Sequence, residues 1–408
     1  MDLTLKVIII LAYLAGFSWL NIAGIKPLYI LCIILLFLLF FHKKSNKINV
    51  WLILFFVFTN IYDFILCTIF GTLTYFSIYY IIRELLTEIL FVYLISYFQT
   101  ISENEKIKII YLMGKSISFY NIIILFIFFY IPSIKQLIVL QDKYGVRLCG
   151  FLSDNPNGYA LIALIGVIII FDEYIRYNRK VNLIFFLLNT VVIIFIQSRA
   201  ALISLLFAII FDFIFMPKLI RNKIFKTSIL GLILFLITIF LNPFNIDIDF
   251  YKDVLNLSRF SENRYEASMT SFTVNEFQSE RWLYINASIK TIDQYPLGIG
   301  SVAQVDFIKT IANQDKVSHN LFIGYVLTYG LVIGIIWIFL IFLLLLLSVK
   351  KMFASKIDTT SIFELTTKII ISIIIYLFFH IQDWIYIWII LAIHCSFIFQ
   401  FKMKNDKI

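Results

Sequence analysis

Apolar residues in this chain come in runs of roughly 17 or more, long enough for an α-helix to cross a hydrocarbon layer about 30 Å thick. Read in order, the pattern predicts helical spans at about 4–23, 27–41, 50–70, 74–98, 116–132, 158–174, 181–197, 200–216, 227–243, 321–348, 364–381 and 383–401. A β-barrel would instead alternate in segments of about ten residues. Two stretches stand apart as polar, 133–157 and 244–320. The second contains the helical run Glu280-Arg281-Trp282-Leu283-Tyr284-Ile285 and breaks at Tyr295-Pro296-Leu297-Gly298-Ile299-Gly300. It is too long for a plain connector and too apolar for a disordered one, so a small helical cap is expected. The chain therefore divides into 1–243 with the earlier spans, the large loop 244–320, and 321–408 with the remaining spans and the tail. No internal repeat is visible.

Composition agrees with the pattern. Of 408 residues, 61% are hydrophobic and only 14% charged, with a mean hydropathy of +0.94. A soluble protein of this size needs far more charge to cover its surface, so the fold class is an all-α polytopic membrane protein.

The net charge of +9 would fit nucleic acid, but its placement does not. Lysines and arginines gather in the gaps after every second span: Lys43, Lys44 and Lys47; Lys106, Lys108 and Lys115; Arg176, Arg179 and Lys180; Lys218, Arg221, Lys223 and Lys226; Lys350, Lys351 and Lys356; Lys402, Lys404 and Lys407. This is the positive-inside pattern, and it fits about twelve spans in the cytoplasmic (inner) membrane with both termini cytoplasmic. It places 133–157 and 244–320 outside. The first run lacks a small-residue cleavage site and reads as a span, not a removed signal peptide. Cys32, Cys67, Cys149 and Cys395 lack metal-ligand spacing, so neither a disulfide framework nor a metal site is expected.

Charged residues in or at the rim of spans are costly and are functional candidates by default. On the outer side these are Arg147, in the segment running to Asp154-Asn155-Pro156-Asn157-Gly158; Arg199, in Gln197-Ser198-Arg199-Ala200-Ala201; and Arg281 in the large loop. A lone arginine at such a place can simply snorkel to lipid phosphate. Several on one side also suit a diphosphate, which guanidinium forks bind in a bidentate way. His319, in Ser318-His319-Asn320-Leu321, stands where the large loop meets the next span, and it can exchange a proton near neutral pH. Asn157 is expected to cap the span that follows, and the amides there can also orient sugar hydroxyls. Glu84 and Glu88 share a helix face while Arg83 points elsewhere; they pair with other helices or line a polar cavity. Lys368 is expected to snorkel, and His394, deep in the last span, to make interhelical hydrogen bonds. His380 and Asp383 fall at an outer turn, and His42 in a basic inner gap is assigned no role.

With these residues in view, the chain resembles the superfamily of O-antigen polymerases and O-antigen ligases, which are bacterial envelope glycosyltransferases. Four blocks carry the likeness over roughly residues 140–345: Arg147 to Gly158, Ser198-Arg199-Ala200, the Arg281 helix leading to Pro296-Leu297-Gly298-Ile299-Gly300, and His319-Asn320 with Gly330. The resemblance implies transfer of a glycan from an undecaprenyl-diphosphate carrier to an acceptor hydroxyl on the outer face, without metal, nucleotide or other cofactor. By the same resemblance Arg199 and Arg281 meet the diphosphate, Arg147 the same site or the glycan, Asn157 and Asn320 belong to the substrate site, and His319 activates the acceptor. Partners implied are the lipid-linked glycan, the bilayer, a chain-length regulator and a flippase; nucleic acid is not among them. In the ligase branch a small or polar residue stands three positions after the glycine, whereas here Ile333 stands there, followed by Gly334. That departure, the chain length and the single dominant outer loop favour a polymerase of repeat units, of O-antigen or capsule type. The alternatives are a ligase or, in another class, a polysaccharide transporter, which would predict related halves and short outer loops.

Overall fold

The computed structural model describes residues 2–17, 27–41, 50–142, 145–151, 155–196, 198–216, 220–230, 280–312, 320–354, 361–378 and 385–399. Helix dominates: α1 Leu3–Tyr13, α2 Pro27–Phe40, α3 Val50–Ile69, α4 Tyr75–Phe98, α5 Glu103–Tyr130, the single turn α6 Pro132–Lys135, α7 Pro156–Tyr177, α8 Lys180–Ile196 and α9 Arg199–Phe215. Helix α10 covers 220–230, and α11 Glu280–Gln294, α12 Gln304–Ala312, α13 Leu321–Ala354, α14 Ser361–Leu377 and α15 Ile385–Phe399 follow. Strands β1 Val139–Asp142 and β2 Gly145–Leu148 form an antiparallel hairpin with Val139 opposite Leu148.

Helices α3, α5, α7 and α13 are long and apolar enough to cross a membrane, and α1, α2, α8, α9 and α15 are shorter apolar helices. Along α13, Leu331, Val332, Ile335, Ile336, Phe339, Phe342 and Leu346 are all exposed. A surface of that kind is stable only against hydrocarbon. The chain is a multi-pass membrane protein.

Local chemistry sets the element ends. Thr74 begins α4 with a capping box shared with Ser77. Helix α5 starts at Glu103, well before the apolar run at 116. Ser102 Oγ accepts from Glu105 N–H at 3.3 Å and Glu105 Oε2 accepts from Ser102 N–H at 3.0 Å, a capping box that nucleates helix ahead of the apolar residues. The hairpin departs from the loop expected over 133–157. Helix α7 is capped by Asn155, whose Oδ1 accepts from Gly158 N–H at 3.0 Å, with Pro156 in the first turn. The expected cap, Asn157, lies inside the helix; Pro156, which has no N–H and a fixed φ, suits the first helical position and shifts the cap back.

The chain forms two compact units, one of 1–7, 30–106 and 277–408, the other of 8–29 and 107–276. In the second unit α7 packs along α8 and α9 and is buried over nearly its whole length, as befits a helix that is apolar on every face from Tyr159 to Phe171. A polar thread crosses this unit: Tyr159 Oη donates to Asn121 Oδ1 at 2.7 Å and Asn121 Nδ2 to Asn189 Oδ1 at 2.5 Å. In the first unit α4 packs against α3 and α15, and α11 against α12 and α13. His394 there is fully buried, its ring nitrogens 2.7 Å from Ser348 Oγ and 3.0 Å from Thr366 Oγ1, the interhelical bonding expected of it. Lys368 does not snorkel: it lies midway along α14 and is 1% exposed, packed inside protein together with its neighbours Thr366, Thr367 and Ile369.

Candidate functional site

The residues singled out by sequence fall in both units. Arg147, Asn157 and Arg199 belong to one, and Arg281 and Asn320 to the other. His319 lies outside the described residues, as do His42, His380 and Asp383.

In the second unit, β2 carries Arg147 against the ends of two helices. The residue is 9% exposed. Its Nε donates to the Ile196 carbonyl at 3.1 Å and its Nη2 to Asn157 Oδ1 at 3.2 Å. Ile196 is the last residue of α8, where carbonyls lack helical partners and the helix dipole is negative. A buried cation is stabilised there. Ser198 then caps α9, its Oγ accepting from Ala201 N–H at 3.4 Å, so Arg199 occupies the first position of α9. Arg147 and Asn157 are thus in contact, and Arg199 follows the helix end that Arg147 holds.

In the first unit, Arg281 lies in the first turn of α11. That helix ends where the sequence break is expected, at Tyr295. Pro296–Gly300 then runs backbone-to-backbone against α13, which is interrupted at Gly330 with φ 77° and ψ 175°. In an unbroken helix Leu331 N–H would bond the Leu327 carbonyl. Here Leu331 N–H goes to the Pro296 carbonyl at 2.9 Å, while the Leu327 and Thr328 carbonyls accept from Ile299 N–H at 3.0 Å and Gly300 N–H at 3.1 Å. The loop thus supplies partners for backbone groups that the break would leave unpaired. The approach leaves no room for side chains. A Cβ on Gly298 would stand 2.5 Å from Gly330 N and the Thr328 carbonyl oxygen, and one on Gly330 would stand 2.5 Å from the Leu297 carbonyl oxygen.

Helix α3 secures the same loop. Asp63 accepts from Ser301 through both oxygens, from N–H and Oγ–H at 2.7 Å each, and Tyr62 Oη donates to the Leu297 carbonyl at 2.6 Å. Gln304 on α12 hydrogen-bonds Thr328. Tyr284, Ala287, Ile299, Ala303, Ile308 and Leu327 close a small core beneath. The described part of 244–320 is therefore a helical cap knit to the broken span. Asn320 caps α13: its Oδ1 accepts from Phe322 and Ile323 N–H at 3.0 and 3.1 Å, and its Nδ2 donates to the Phe378 carbonyl at 3.0 Å.

Asp63 is absent from the residues chosen by sequence, although the rule that selects Glu84 and Glu88 applies to it equally. Asn60, a turn earlier, donates to Glu88 Oε2 at 2.6 Å, so Glu88 pairs with a neighbouring helix as expected. Arg83 lies over the Tyr80 ring, 4.6 Å from its centroid. Among the described residues no group of three His, Cys, Asp or Glu side chains is arranged to hold a metal ion.

Against known proteins, residues 184–338 match the model of the Wzy_C family, described as O-antigen ligase. The match is consistent with the superfamily resemblance and encloses the α8–α9 turn, α11, the Pro296–Gly300 loop, Asn320 and Gly330. No curated protein and no solved structure matches the chain.

Proposed function

We propose that this chain is a membrane glycosyltransferase that polymerises undecaprenyl-diphosphate-linked repeat units on the outer face of the cytoplasmic membrane. The observation that carries this reading is the family match over 184–338, which takes in Ser198-Arg199, Arg281 and His319-Asn320 together with the joint at Gly330. In the transfer, an acceptor sugar hydroxyl attacks the anomeric carbon of the donor glycan. The bond from that carbon to the diphosphate oxygen breaks, and the lipid diphosphate departs with the electron pair. The hydroxyl proton passes to His319 as general base. Arg199 and Arg281 stabilise the negative charge that grows on the diphosphate.

The substrates are the lipid-linked glycan and the bilayer that holds it, with a flippase and a chain-length regulator upstream and alongside. A second reading, a ligase that passes the finished glycan to another acceptor, is favoured by the description of the matching family. It uses the same residues and differs only in the acceptor.

The test is the surface polysaccharide of a null strain complemented with wild type or His319→Ala at equal membrane levels. A polymerase gives a ladder with wild type and single repeat units with the variant. A ligase variant instead accumulates long carrier-linked chains. A full ladder from His319→Ala removes the histidine from the mechanism.

A further inference from the structure

A guanidinium meant for a mobile lipid diphosphate should be presented to the outside. Arg147 is instead buried, with its Nε and Nη2 on protein acceptors at two helix ends. Its Nε holds the Ile196 carbonyl, the terminal carbonyl of α8, and its Nη2 holds Asn157 Oδ1 in the first turn of α7. The strand beneath is itself fastened: Leu140 pairs with Arg147, and Cys149 N–H donates to the Ile138 carbonyl at 3.0 Å. One side chain therefore ties a hairpin to the C-terminus of α8 and the N-terminus of α7. Two residues beyond Ile196, Ser198 caps α9, and Arg199 follows.

We infer that Arg147 is a positioning residue: with Asn157 as its second anchor, it sets the α8–α9 turn and so fixes the backbone from which Arg199 is presented. The importance given to Arg199 rests on the function proposed above; the brace itself does not. A fork with a planar, fixed spread of donors suits two acceptors in different directions, which a lysine ammonium on a flexible stem does not reproduce. The charge serves the carbonyl end of α8 and is not needed by substrate. This separates the brace from direct diphosphate binding. Asn157→Asp keeps an acceptor for Nη2 and neutralises the guanidinium, whereas Asn157→Leu removes the acceptor and leaves the charge.

Purified protein in lipid nanodiscs is followed by amide hydrogen exchange, and the same variants are assayed for chain extension from a lipid-diphosphate-linked repeat unit. Arg147→Lys and Asn157→Leu are expected to speed exchange about tenfold or more in the first turn of α9, Ala201 and Leu202, with Asn157→Asp near wild type. Extension is expected to fall about tenfold or more in Arg147→Lys and Asn157→Leu, while Asn157→Asp is judged by exchange alone. In an Arg199→Lys background, Arg147→Lys should lower extension by no more than about twofold further, because it acts through the turn already impaired.

Unchanged exchange in the first turn of α9 for both Arg147→Lys and Asn157→Leu overturns the brace. So does exchange in Asn157→Asp as fast as in Asn157→Leu, or losses from Arg147 and Arg199 that multiply. If Arg147→Lys does not fold, the pair at Asn157 decides alone. If wild type extends nothing, the function proposed above fails while the exchange measurements still judge the brace.

Discussion

Asp63 lies among apolar residues on α3 and is satisfied there by Ser301, which gives it both a backbone and a side-chain donor. Removing an acceptor that two half-buried donors share leaves both without that partner, and part of the desolvation of each is then uncompensated. Asp63→Ala is expected to lower stability by about 1–3 kcal/mol, seen as a lower thermal midpoint in detergent, with Ser301→Ala costing about 1 kcal/mol. Equal midpoints for wild type and Asp63→Ala would mean the contact holds nothing. The residue scale is where sequence reading is weakest. His394 is readable because a lone histidine in an apolar helix must find partners on its neighbours. Nothing in the sequence context of Arg147 reveals that the Ile196 carbonyl and Asn157 stand beside it.

At the scale of elements, Pro296–Gly300 and Gly330 are distant in sequence and form one joint in space. Gly298 and Gly330 have positive φ, and each faces backbone where a Cβ would be. Gly330→Ala therefore adds a clash to left-handed strain, and a loss on the order of 3 kcal/mol is expected. Gly71 supplies the comparison: its φ is 66° but nothing lies within 4 Å of its Cβ position, so Gly71→Ala should cost only about 1 kcal/mol of strain. Fluorescence-detected size exclusion after a heating series reads both. Two variants of equal stability would show that the joint does not depend on close backbone approach. The apolar pattern locates α13 but reads it as one uninterrupted span, since periodicity records which residues are apolar and not where a hydrogen bond is handed to a loop. The start of α5 was, by contrast, legible in Ser102 and Glu105, and only a reading confined to hydropathy passes over it.

For the whole molecule, the basic gaps predict which ends of the helices face the cytoplasm. Leu297, in the cap, is exposed, and so is Arg179 in the gap between α7 and α8; the four native cysteines are buried. A membrane-impermeant maleimide applied to intact spheroplasts is expected to label Leu297→Cys and to label Arg179→Cys only after the membrane is opened. Labelling of Arg179→Cys in intact spheroplasts reverses the orientation and with it the proposed outer-face chemistry.

The membrane class, the apolar helices and the helical character of the cap were legible in local sequence. Those follow from transfer free energy and helix caps, which are properties of short stretches. Tertiary structure alone decided that Arg147 and Asn157 are in contact, that Asp63 holds the loop at Ser301, and that the loop completes a broken helix. Each of these depends on a polar group finding a partner on another element, where burial makes an unpaired donor or acceptor costly.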